Sequence, residues 1–196
     1  ETPFGVIYST NITPDVDTGI GAWSEQAFAR ALREGVDREG ELLYHAFPYD
    51  HFAKVTSEDS RAIYSFLMSR KPVKAETPEN ELRFPFNIRR LLAGWNLLFL
   101  PRGEFKPDPQ QDAEWNRGAY LVEGLGHCGS CHTPRNALGA EIASRPMGGG
   151  EAEGWHAPAL DATNPALAPW SVDALTNYLI DGWDRNHGIA AGPMTP

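Results

Sequence analysis

Apolar residues recur at helical spacing in several short windows, and glycine or proline closes most of them. Phe28 and Leu32 mark one face of a helix that Ser24 opens as an N-cap and Gly35 ends as a C′ residue. Thr56-Ser57-Glu58-Asp59 reads as a capping box leading into Ala62, Ile63, Phe66 and Leu67. From Asn87 to Leu100 the chain is strongly apolar, with Leu91, Leu92, Trp95 and Leu98 on one face and Phe99 and Leu100 widening it. The spacing predicts a helix there that buries an interface. Glu114 to Leu125 carries Gly118, Leu121, Val122 and Leu125 at i, i+3, i+4 and i+7. Leu82 to Pro85 and Lys106 to Pro109 read as extended. The pattern as a whole predicts an all-α fold of short helices.

The chain also repeats itself with a period of 147 residues. Trp170-Ser171 opens a helix that ends at Gly182, as Trp23-Ser24 opens one that ends at Gly35, and Leu175 and Leu179 stand where Phe28 and Leu32 do. Carried forward, the register sets Phe47 against Met194.

Composition changes this picture in three ways. With 16 prolines and 19 glycines, the connections should be long and irregular. The net charge of −9 argues against a phosphate-backbone partner, so no nucleic acid is expected. No apolar run approaches the roughly 20 residues of a membrane-spanning helix, so any membrane association would lie in segments outside this sequence.

The two cysteines fall in one string, Cys128-Gly129-Ser130-Cys131-His132. Thiols spaced C-x-x-C sit on one helical turn, where each can bond one vinyl group of a porphyrin, and the following histidine can face the iron. The string is a c-type haem attachment signature, and haem c is the expected cofactor. A thioredoxin-type redox pair, a structural zinc site and a bland buried C-x-x-C remain as alternatives. The iron's second axial ligand is sought among three methionines. Met68 fits core packing, Met147 follows His132 too closely to pass around the ring, and Met194 is the expected ligand. Phe47 at the matching position of the first repeat cannot bind iron, so His51, or failing that His45, is the candidate sixth ligand of a first haem. Arg135 is the expected counterion of a haem propionate. An open coordination site at that first haem would instead permit peroxide or small-ligand chemistry.

These readings combine into two class-I cytochrome-c-like domains in tandem. Residues 1–72 form a domain without its haem-attachment segment, 73–112 a long linker with the apolar helix, and 113–196 a c-type haem domain lacking its closing helix. The sequence thus reads as the middle of a longer chain.

Ser9-Thr10-Asn11-Ile12-Thr13-Pro14-Asp15, Thr18-Gly19-Ile20-Gly21, Arg117-Gly118-Ala119-Tyr120-Leu121-Val122-Glu123-Gly124, Thr133-Pro134-Arg135-Asn136 and Ala190-Ala191-Gly192-Pro193-Met194 resemble the multihaem cytochrome c subunits of bacterial membrane-bound dehydrogenases. The resemblance implies an electron carrier without substrate chemistry of its own. It would take electrons from a dehydrogenase catalytic subunit in the periplasm, at the outer face of the inner membrane, and pass them to ubiquinone or a terminal acceptor. It also implies thioether anchors at Cys128 and Cys131 and an axial pair of His132 and Met194. Ala46-Phe47-Pro48-Tyr49-Asp50-His51-Phe52 is more similar to the molybdenum-associated branch than to the alcohol branch.

Overall fold

In the computed structural model, which describes residues 4–152, 154–185 and 188–195, seven α-helices of 4 to 12 residues alternate with short strands. They are α1 (Glu25–Glu34), α2 (Tyr49–Phe52), α3 (Ser57–Met68), α4 (Leu91–Phe99), α5 (Ala113–Tyr120), α6 (Gly129–His132) and α7 (Val172–Asp181). The strands pair in three antiparallel ladders: β1 (Gly5–Val6) with β2 (Glu81–Leu82), β3 (Gly150–Ala152) with β4 (Trp155–Ala157), and β5 (Trp183–Asp184) with β6 (Gly188–Ile189). Contacts divide the chain into two compact units, Glu1–Cys128 and Gly129–Pro196.

The strands correct the all-α tandem expected from the pattern. Of the described residues 36% are helical and 10% strand, and the linker helix covers only Leu91–Phe99. The reason lies in the glycines. Gly40, Gly139, Gly154 and Gly188 adopt φ of 90°, 77°, 80° and 91°, a region open to glycine without a Cβ penalty. Each lets a connection reverse and pair with itself, as in the Val36–Leu42 and Arg135–Glu141 bridges. Ahead of α4, successive turn bonds from Phe86 to Arg83, Ile88 to Pro85 and Leu91 to Ile88 replace the helical ladder expected from Asn87.

In the first unit the core forms where α1 meets α2 and α3. Tyr49 and Val55 are fully buried, with Ile20, Leu32, Ala53 and Tyr120 nearly so. Ser24 caps α1 by accepting from Ala27 N at 3.1 Å, and Thr56 caps α3 by accepting from Asp59 N at 3.1 Å. Tyr64 of α3 donates to the Trp23 carbonyl at 2.9 Å, drawing α3 across the Phe28–Leu32 face. Tyr49 Oη donates to Asn96 Oδ1 at 2.8 Å, tying α4 down by its one polar side chain. Leu91 and Leu98 are therefore 57% and 70% exposed, not buried as their spacing had implied. Among the described residues no helix is long and apolar enough to cross a membrane.

The second unit repeats the local design of α1. Ser171 caps α7 through Ala174 N at 3.1 Å, and Gly182 ends it at φ 70°, matching Gly35 at φ 64°. Leu43 N bonds the Gly35 carbonyl at 2.7 Å, and Ala190 N bonds the Gly182 carbonyl at 2.7 Å. The strand pairing agrees too, since the Val36–Leu42 bridge corresponds to the Trp183–Ile189 pair. The faces differ in burial: Leu32 is 7% exposed, whereas Leu179 is 66% exposed.

A Cβ on Gly35 would lie 2.5 Å from Cζ of Tyr49, whereas one on Gly40 would meet nothing within 4 Å. Gly40→Ala should therefore cost only the left-handed strain, about 1–2 kcal/mol. Gly35→Ala adds overpacking and should cost roughly 2–4 kcal/mol. Urea unfolding of the two variants checks this, and equal losses would contradict it.

Candidate haem site

The approach to the cysteine motif is built by α5. Asp112 caps it by accepting from Trp115 N at 2.8 Å. The helix then widens into a π-turn over Leu121–Leu125, where Gly126 N bonds the Leu121 carbonyl at 2.6 Å and Cys128 N bonds Val122 at 3.1 Å. A Cβ on Gly126 would stand 2.8 Å from the Leu121 oxygen, so glycine is required where the turn closes. Insertions of this kind re-aim the residues that follow, here His127 at φ 40° and Cys128.

The π-turn is clamped from the side. His51 of α2 is 6% exposed and donates from Nδ1 to the Glu123 carbonyl at 3.0 Å. Lys54 Nζ pairs with the Glu123 carboxylate at 2.7 Å. One turn earlier, Tyr120 Oη donates to Asp59 at 2.6 Å and accepts from Thr56 N at 3.2 Å. Burial, and then the bond to Asp59, push the Tyr120 phenol above its ordinary value. His51 thus lies in the first unit as a brace for this turn. His45 instead packs on Trp95 and Tyr49, with ring centroids 3.7 and 4.6 Å apart, and Phe47 packs on Phe52 at 5.2 Å.

In the second unit α6 carries Cys131 and His132. Neither cysteine is in a disulfide, and both are half-buried. His132 is 7% exposed, and its Nδ1 donates to the Pro158 carbonyl at 2.8 Å. A carbonyl can only accept, so Nδ1 holds a proton, and in the neutral ring the lone pair is then on Nε2. Metal-ligating histidines are commonly oriented in this way. The bond is arranged by the β3–β4 hairpin, which pairs Gly150 with Ala157 just before Pro158. Gly149 N donates to the His132 carbonyl at 2.8 Å, and a Cβ on Gly150 would fall 2.5 Å from the Cys131 oxygen. Thr133, 4% exposed, accepts from Met147 N at 3.1 Å.

Arg135 donates to the carbonyls of Gly139 and Ser130 at 2.7 and 2.9 Å and stands 3.9 Å from Glu141, bracing the loop after the motif. Met194 ends a 3₁₀ turn, Gly192–Met194, and is 51% exposed. Gly192 has φ 58°, and a Cβ there would meet the Trp155 ring at 2.7 Å, so the methionine loop is seated on that indole. Cys131, His132 and Arg135 therefore share one braced segment, whereas His51 belongs to the first unit. Pro158 and Gly126 had no signal in the sequence, because one acts through a backbone carbonyl and the other through a missing Cβ.

The residues present fit a thioether-linked porphyrin. They supply two cysteines at the required spacing and an imidazole whose tautomer is fixed for ligation. The second unit also buries few apolar side chains, with only Ala140 and Ala190 in that class among the described residues. Trp155, Leu160, Leu175, Leu179 and Met194 stay 43–66% exposed, apolar surface of the kind a macrocycle covers.

No family model matches the chain. Curated relatives do. It is 58% identical over 197 residues to a nicotinate dehydrogenase subunit of Pseudomonas putida, covering 100% of this chain and 17% of that protein. It is 43% identical over 198 residues to the fructose dehydrogenase cytochrome subunit of Gluconobacter japonicus, covering 98% of this chain and 40% of that one. It is 38% identical over 201 residues to a diheme cytochrome c-type protein of Cereibacter sphaeroides, covering 98% and 64%. The chain thus spans less than two thirds of the length of each.

The Tyr120 clamp makes a pH-dependent prediction. A phenol that holds its proton more tightly when folded stabilises fully below the unfolded value near 10 and loses that contribution as pH rises further. Tyr120→Phe should cost roughly 1–2 kcal/mol at neutral pH. That penalty should shrink above pH 10 in denaturant titrations; a gap that widens there would contradict the assignment.

Proposed function

Because homologues of this chain are cytochrome c subunits of dehydrogenases, we propose that it is a segment of a periplasmic electron-transfer subunit. In this reading it relays electrons from a dehydrogenase catalytic subunit to ubiquinone or a terminal acceptor. The observation that carries the reading is the bond from His132 Nδ1 to Pro158, which prepares Nε2 for iron directly after the C-x-x-C pair. Cys128 and Cys131 would hold the thioether bonds, His132 one axial position and Met194 the other. Haem c bound there supplies one-electron iron chemistry.

The protein's own residues keep that chemistry simple. His132 is fixed through its ring and its carbonyl, so its side chain need not move between oxidation states. Arg135, set between the Ser130 and Gly139 carbonyls, holds the turn that carries Cys131 and brings a positive charge near the expected propionates. In this reading the partner is of the molybdenum-dependent type, and the identity to a nicotinate dehydrogenase subunit supports an N-heterocyclic substrate for it. Further haems in the full-length protein follow from the same reading, and a diheme relative supports it.

In the full-length complex, Cys131→Ala should leave dye-linked oxidation by the catalytic subunit intact and reduce quinone-linked turnover at least tenfold. Unchanged quinone turnover would refute the relay. Met194→Ala should lower the midpoint of one haem by on the order of 0.1 V, within the roughly 0.8 V that axial ligands span. It should also open that haem to carbon monoxide. An unchanged potential would remove Met194 from the axial pair.

A further inference from the structure

Strand β4 meets the site at both of its ends. Pro158 follows its last residue and accepts the His132 Nδ1 proton. Trp155 opens it, and the indole lies against Gly192, two residues before Met194. A Cβ on Gly192 would stand 2.7, 2.8 and 3.0 Å from Cδ2, Cε2 and Cε3 of that indole. Cδ2 belongs to both fused rings and has no open edge, so a contact nearest to it comes onto the ring face. Gly192 reaches the face at φ 58°, a conformation that glycine adopts without a Cβ penalty. At 53% exposure Trp155 is not a core residue, so its seat under Gly192 has another use.

The methionine loop needs such a seat. Ala190 N bonds the Gly182 carbonyl at 2.7 Å, which ties the start of the loop to the end of α7. Beyond it, Met194 N bonds the Ala191 carbonyl at 3.2 Å and Thr195 N bonds the Gly192 carbonyl at 3.0 Å, so the turn closes on itself. A self-closed turn keeps its own shape, and its place is set by what it rests on. The internal repeat offers a comparison, since Gly192 and Met194 stand 147 residues after His45 and Phe47. Where the ligating sulfur is absent, the close-approach glycine is absent too, and His45 packs on Trp95 and Tyr49 instead.

We propose that Trp155 is a positioning residue for the sixth ligand, its indole face holding the Gly192 turn so that Met194 is presented to the iron. Strand β4 thereby sets both axial positions, His132 through the Pro158 carbonyl and Met194 through the Trp155 ring. The inference rests on the haem reading given above. The indole acts through the Gly192 backbone and not on the iron itself, so its removal changes how firmly the sulfur is held and leaves the thioether anchors and His132 in place.

The test uses the full-length protein, with every spectrum normalised per haem. Ferric iron bound by a thioether gives a weak charge-transfer band in the far red that disappears when the sulfur leaves. The share of that band removed by Met194→Ala belongs to this haem. Trp155→Ala should remove most of the same share, lower that haem's midpoint potential and raise its carbon monoxide binding several-fold, with haem content unchanged. Gly192→Ala presses a Cβ into the ring from the other side and should do the same. Trp155→Phe keeps a ring face and should restore most of the band. A band that survives Trp155→Ala while Met194→Ala removes it would overturn the positioning role and leave the haem reading intact. Equal loss in Trp155→Phe and Trp155→Ala, or loss of the covalent haem itself in Trp155→Ala, would overturn it as well. A band unchanged by Met194→Ala would overturn both the role of Trp155 and the axial assignment it rests on.

Discussion

One hydrogen bond organises the second unit: the His132 imidazole gives its Nδ1 proton to the Pro158 carbonyl at 2.8 Å. A histidine ring left to itself samples two tautomers and several rotamers, and an imidazole that is to serve as a metal ligand requires one of each. The β3–β4 ladder places the carbonyl, Gly149 and Gly150 let that hairpin approach α6 without a Cβ in the way, and Thr133 ties the same hairpin's entry at Met147. Of the three ladders, β3–β4 is the one that carries this acceptor.

The first unit holds the segment that leads into the motif. Cys128 emerges from a π-turn, and an irregular turn is only as well placed as what holds it. Here His51, Lys54 and Tyr120 hold it through one carbonyl, one carboxylate and a two-sided phenol. A π-turn leaves backbone groups out of the regular ladder, and the His51 bond satisfies the one at Glu123.

Much of this was legible in the sequence where the information is local. Ser24, Thr56 and Ser171 are caps because a hydroxyl two or three residues ahead of free N–H groups has little else to do, and Gly35 and Gly182 end helices because only glycine turns there cheaply. The period of 147 residues is visible for the same reason, since it repeats those caps. What could not be read was non-local. The all-α expectation failed because a glycine-rich connection gives no sign of whether it stays open or pairs with itself. The apolar run at Leu91–Phe99 was assigned the wrong face because periodicity shows which residues share a side, and not which side Tyr49 will pull inward through Asn96. Pro158 was invisible because it contributes only a backbone oxygen.

The measurement that tests the central claim most directly is the mass of the proteolytic peptide spanning Cys128 to His132 from the natural full-length protein. The account predicts one haem bound covalently to that peptide through both cysteines, with no free thiol left to alkylate. A peptide with two alkylatable thiols, or with a Cys128–Cys131 disulfide, would contradict it and leave the prepared imidazole of His132 without the metal it is oriented to bind.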